Sequence, residues 1–110
     1  MKRLGQSAIG TGSGTLIYTV PTGMETTVKD FMIANTTASP ITCSLHLVPV
    51  SVSVADSNAV MKLIPIPGRT TVHWCGSQHM TVGGFIQAIG SAAGLTITVS
   101  GDEIRKGGAL

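Results

Sequence analysis

Leu95-Thr96-Ile97-Thr98-Val99-Ser100-Gly101 decides the fold class. Its apolar residues fall at every second position, so Leu95, Ile97 and Val99 point to one side of an extended chain and Thr96, Thr98 and Ser100 to the other. The same period recurs upstream in Ile41 to Val48, where Ile41, Cys43, Leu45 and Leu47 define one face and Thr42, Ser44 and His46 the other. This spacing predicts a strand with one buried and one exposed face. No stretch carries apolar residues at i, i+3, i+4 and i+7 over a helical length, so the chain reads as all-β.

Further strands are predicted at about Thr15–Val20, Glu25–Thr36, Ala59–Ile66, Thr70–Cys75 and Phe85–Ile89, with a weak one near Ala8-Ile9. Proline and glycine set the breaks, because proline cannot donate to a ladder and glycine permits reversal. Pro21-Thr22-Gly23, Ala38-Ser39-Pro40, Pro67-Gly68 and Gly76-Ser77-Gln78-His79 are read as turns. Pro65 inside a strand implies an edge or a bulge. In Val28, Phe31, Met32 and Ile33 the apolar parity changes midway, which also implies a bulge or a change of sheet environment. Seven or eight short strands with such turns predict a single-domain antiparallel β-sandwich of jelly-roll type. It is expected to occupy residues 14–104, between a flexible arm at 1–13 and a C-terminal tail at 105–110. Val50 to Asn58 reads as a surface loop, with Asp56-Ser57-Asn58 bonding its own backbone.

Charged residues make up 11% of the 110-residue chain, against roughly a quarter in a typical soluble domain. Thr, Ser, Gly and Ala take their place, which suits surfaces buried against neighbouring chains better than a freely diffusing monomer. The net charge is +2, and the seven basic residues form no stripe. With four aromatics and no Lys/Arg cluster, direct nucleic-acid binding is not expected. A membrane span is not expected either, since no run approaches the about 20 apolar residues one requires. Leu4-Gly5-Gln6-Ser7 interrupts the apolar core that a secretory signal would need, so synthesis in the cytoplasm is expected. Cys43 and Cys75 are read as reduced, partly buried thiols, because one pair is no disulfide framework.

Catalytic chemistry finds little to work with. His73 and Cys75 share a strand face, and His46 or His79 could join them as metal ligands, but no ligand motif supports a metal centre and none is expected. Glu25 and Asp30, an odd number apart, point to opposite faces of an unbroken strand. Asp102-Glu103 reads as a polar strand end. The glycine runs Gly10-Thr11-Gly12-Ser13-Gly14 and Val82-Gly83-Gly84 open no helix and so are not phosphate cradles. With no nucleophile elbow, no enzyme and no cofactor are expected.

Several segments taken in order carry a resemblance. These are Val20-Pro21-Thr22-Gly23, Val28-Lys29 with Ile33-Ala34-Asn35-Thr36, Leu45-His46-Leu47-Val48-Pro49, Asp56-Ser57-Asn58-Ala59, Phe85-Ile86-Gln87-Ala88, and Leu95 to Glu103. Between Gly14 and Glu103 the chain resembles the small jelly-roll virion proteins of tailed bacteriophages, which are head decoration (cement) proteins or tail and fibre modules. Where those proteins carry Gly-Asp before the Ile-Gln-Ala strand, this chain has Val82-Gly83-Gly84-Phe85, so no role of that acid carries over. The resemblance implies a virion protein, a symmetric homo-oligomer with a trimer favoured, and a larger lattice such as the major capsid protein as partner. Head decoration is the leading expectation; a tail, fibre or connector module is the alternative. Contacts are expected from Lys2, Arg3, Ser51, Val52, Asp56, Asn58, Arg105 and Lys106, all on predicted ends or loops.

Overall fold

The computed structural model describes residues 2–12 and 14–105. The chain runs β1 (Lys2–Ile9), β2 (Thr15–Thr19), β3 (Met24–Asn35), β4 (Ile41–Val48), β5 (Ala59–Ile66), β6 (Thr71–Met80), β7 (Phe85–Gly90) and β8 (Leu95–Arg105). One 3-10 turn, Asp56–Asn58, precedes β5. The strands form two four-stranded antiparallel sheets packed face to face, β1-β8-β3-β6 and β2-β7-β4-β5. Every connection except β4 to β5 passes from one sheet to the other.

The alternation read from the sequence sets what lies between the sheets. Leu95, Ile97 and Val99 of β8 are fully buried, facing Ile41, Cys43 and Leu45 of β4 across a core completed by Val28, Phe31, Ile33, Ile66, Ile86 and Ala88. The parity change in β3 is a bulge. Val28 pairs with Gly101 and Asp30 with Ser100, so Lys29 is the extra residue, and the shift turns both Val28 and Phe31 inward. Pro65 lies in the edge strand β5, next to a second irregularity where Leu63 takes a left-handed conformation (φ 51°). There the Leu63 N–H leaves the ladder and donates to Ser44 Oγ at 2.9 Å.

Four expectations are corrected. The flexible arm expected over 1–13 is largely strand, with Lys2 to Ile9 paired to β8 from Gly101 back to Leu95. Gly5 and Gly10 weaken the apolar alternation there, so pattern alone underrates the strand. The turn expected at Gly76-Ser77-Gln78-His79 is instead the second half of β6, where Gln78 and His79 pair with Val28 and Thr27. Arg105, expected to open a C-terminal tail, is the last residue of β8; residues 106–110, with Met1 and Ser13, lie outside the described residues. Finally, β4 has no exposed face. Ser44 and His46 are as buried as Leu45, because β5 and the loop from Pro49 to Asn58 cover that side.

The two open edges of the sandwich differ. On one side β1 and β2 close together, where a Cβ at Gly5 would stand 2.6 Å from Ile17 O, so glycine is what admits the contact. On the other side β5 and β6 stand apart and leave a cleft between the sheets.

Candidate interaction surface

Pro49 ends β4, and the chain then turns, with the Val52 N–H donating to Pro49 O at 3.2 Å and Ser51 in the left-handed region (φ 64°). A polar clasp holds the loop down. Asn58 Nδ2 donates to Ser53 O at 2.9 Å and its Oδ1 accepts the Ala55 N–H at 3.1 Å. His46 Nδ1 faces two acceptors, Asn58 Oδ1 at 2.9 Å and Ala55 O at 3.1 Å, so this nitrogen carries the ring proton. His46 is 1% exposed and works as the pin beneath the loop.

What the clasp holds outward is apolar. Of the eight large hydrophobic side chains exposed among the described residues, five lie between positions 50 and 64: Val50, Val52, Val60, Leu63 and Ile64. Leu63, at 63% exposure, is the most open. The Lys62–Asp56 ion pair, 3.1 Å long and solvent exposed, is the charge this stretch carries. Isolated exposed apolar residues need no explanation, whereas this concentration on one loop and one edge strand makes it the candidate contact surface. Beside it the cleft between β5 and β6 holds two adjoining cavities of about 290 and 240 Å³. Both are lined by Leu47, Val60 and Gln78, and the second also by Phe31 and Trp74, whose rings stack at 5.0 Å.

Of the residues expected to make contacts, Ser51, Val52, Asp56 and Asn58 belong to this loop, although Asn58 is turned inward as its clasp. Arg3 and Arg105 are exposed on the other sheet, apart from the loop, and Lys106 lies outside the described residues. Lys2 is engaged: its Nζ lies 2.6 Å from Glu103 Oε1. Glu103 Oε2 accepts from the Tyr18 hydroxyl, which also bonds Thr26 Oγ1 at 2.7 Å. This cluster ties β2 of one sheet to β3 and β8 of the other. Burial, then the bond to Glu103, pushes the Tyr18 hydroxyl up to about 12, while the bonds from Lys2 and Tyr18 hold the Glu103 carboxyl below its usual range. Because the folded carboxyl is the more acidic, its contribution is present above the unfolded value of about 4.3 and is lost as pH falls through the folded value. Glu103→Gln is expected to cost about 1–2 kcal/mol at pH 7 and to flatten the loss of stability below pH 4, read by urea titrations across that range.

The residues weighed for chemistry are dispersed. Cys75 Sγ lies 3.4 Å from His73 Nε2, which is 3.8 Å from Asp30, all on the outer face of β3 and β6. His79 instead pairs with Glu25 at 3.3 Å. The bulge at Lys29 offsets the odd spacing, so Glu25 and Asp30 share a face rather than opposing one another. His46 is buried under the loop, far from forming a set with the other two. Among the described residues no three His, Cys, Asp or Glu side chains are grouped to hold a metal ion, and no helix is long and apolar enough to cross a membrane. Cys43 is buried, which raises its thiol to about 11, and Cys75 is exposed rather than part of the core. The signal that the sequence hides is the Val50–Ile64 patch, since its residues do not alternate and read simply as a weak strand and a loop. No family model, curated protein or solved structure matches the chain.

Proposed function

We propose that this chain is a structural protein of a phage virion, a jelly-roll module that decorates the capsid and stabilises it by docking across major capsid subunits. The observation that carries the reading is the apolar surface from Val50 to Ile64 on a chain with so few charges. A protein that spends its working life bound to a lattice can present such a surface, because the lattice covers it. The strand order supports the jelly-roll assignment. Eight strands in two sheets, with β8 beside β1 and β3 and with β7 beside β2 and β4, are consistent with two Greek keys folded over one another. The resemblance of residues 14–103 to small phage virion proteins supports the same class.

In this reading the virion is the site of action, the protein being made in the host cytoplasm, and no catalysis is involved. Binding adds its free energy to the capsid by mass action, and many equivalent copies make weak single contacts sufficient. Val52→Asp and Leu63→Asp are each expected to weaken capsid binding by roughly tenfold or more without unfolding the protein, since both side chains are exposed. Co-sedimentation of purified protein with capsids lacking it measures this. Particles without the protein are expected to lose heat or osmotic resistance. Unchanged resistance, or density for this chain at the tail in cryo-electron micrographs, would move the module to a tail, fibre or connector role.

A further inference from the structure

A sandwich has four strand edges, and natural proteins guard such edges against pairing with other chains. In this fold β1 and β2 shelter one another through the close approach at Gly5 and Ile17. β1 also carries Lys2, Arg3 and a register shift, and β2 is five residues long with a shift of its own. β5 is guarded by Pro65, which has no N–H, by Lys62, and by the left-handed Leu63. β6 differs. From Thr71 to Cys75 it keeps unbroken register with β3, contains no Pro, Lys or Arg, and has its far side open to the cleft rather than covered by β5. Its irregular part is confined to Gly76 and Ser77, between the pairs of Cys75 with Asp30 and of Gln78 with Val28.

We propose that two copies of this chain associate through the free edges of β6, running antiparallel about a two-fold axis and joining their β1-β8-β3-β6 sheets into one continuous sheet. Among the four edges only this one offers, over residues 71–75, unbroken register with no Pro, Lys or Arg and no neighbouring edge closed against it, so self-association through strand edges has to use it twice. An isologous contact does so, and satisfies the open backbone groups of both copies at once. A three-fold ring joined through edges would need a second, different free edge on each copy, and the guards on β1, β2 and β5 withhold one. The side chains brought together suit the contact. Thr71, His73 and Cys75 on the outer face put no pair of carboxylates or ammonium groups opposite one another across the axis. On the inner face Trp74, stacked on Phe31, stiffens the strand as a template.

The inference is independent of the virion reading, because it concerns the purified chain alone. Sedimentation equilibrium of the full chain is expected to show a monomer–dimer equilibrium, with backbone amides of residues 71–75 gaining protection from hydrogen exchange as concentration rises. Emission from Trp74, the sole tryptophan, is expected to shift along the same curve. His73→Lys with Cys75→Lys places like charges across the axis on two exposed positions, and is expected to leave the melting temperature of the dilute protein unchanged while abolishing the dimer. A chain that stays monomeric at every concentration, that forms a trimer, or that dimerises with residues 71–75 unprotected and the double variant unaffected, overturns the proposal.

Discussion

Replacing Gly101 with alanine is expected to destabilise the fold by about 3 kcal/mol or more and to lower the melting temperature by roughly 10–20 °C. Gly101 is buried in β8, between Lys2 of β1 and Val28 of β3. A Cβ at this position would lie 2.1 Å from Thr27 O and 3.1 Å from Val28 Cα. Both are backbone atoms, so no side chain can swing aside to make room. The cause is the bulge at Lys29, which brings the β3 backbone against β8 where the pairing slips by one residue. Relief requires either separating the two central strands or undoing the bulge, and the latter would turn Val28 or Phe31 out of the core. Gly23→Ala is the informative control. Gly23 has a left-handed φ of 80° but open space around its missing Cβ, so its replacement is expected to cost only about 1 kcal/mol. Urea unfolding of both variants separates steric from conformational demand.

Asn35→Ala is expected to cost about 2–4 kcal/mol in the same measurement. Asn35 is buried at the end of β3 and uses its whole amide. Its Nδ2 donates to Ser39 O at 2.8 Å and to Ile66 O at 3.0 Å, while its Oδ1 accepts from the Thr37 N–H at 3.0 Å and the Thr37 hydroxyl at 2.7 Å. The side chain therefore shapes the β3–β4 turn and fastens the end of β5 to the opposite sheet. Alanine leaves these partners without it in a place that water reaches poorly, which is where a lost hydrogen bond costs most. Asn35→Asp keeps the acceptors, loses both donors and adds a charge, so it is expected to be no better tolerated than alanine.

Alternation placed the strands, though not all their ends: β8 runs four residues beyond the predicted Gly101, to Arg105. Ile41–Val48 and Ala59–Ile66 have the predicted limits, and Pro65 correctly announced an irregular edge. The parity change at Val28 and Phe31 announced the bulge, but its most demanding consequence did not show. Nothing in Val99-Ser100-Gly101 distinguishes a glycine that terminates a strand from one that makes room for its neighbour. Burial of Ser44 and His46 was equally hidden, because it depends on a loop folding back from ten residues downstream and on hydrogen bonds to Asn58 and Ala55. Gly76-Ser77-Gln78-His79 has the composition of a turn, and pairing with β3 overrides that local preference. The exposed apolar loop and edge strand were half legible. Ser51, Val52 and Asp56 lie on this loop, while Arg3 and Arg105, expected to share the role, are on the other sheet, and Lys2 is held by Glu103.

The place of β8 has a consequence for how the chain reaches this structure. The last strand in sequence lies between the first and the third, so β1 and β3 have no ladder to share until residues 95–105 arrive. β4 and β5 alone form a local hairpin; the other pairings close long loops, and their entropy must be lost before any contact rewards it. Such a chain folds slowly for its size, in milliseconds to seconds rather than microseconds. Until residues 95–105 are made, the first sheet lacks the strand that joins β1 to β3, and the apolar faces stay open to water until β8 inserts between those two strands. The rate at which β8 docks therefore governs the yield of folded protein against aggregate, and chaperone dependence should rise with any change that delays it.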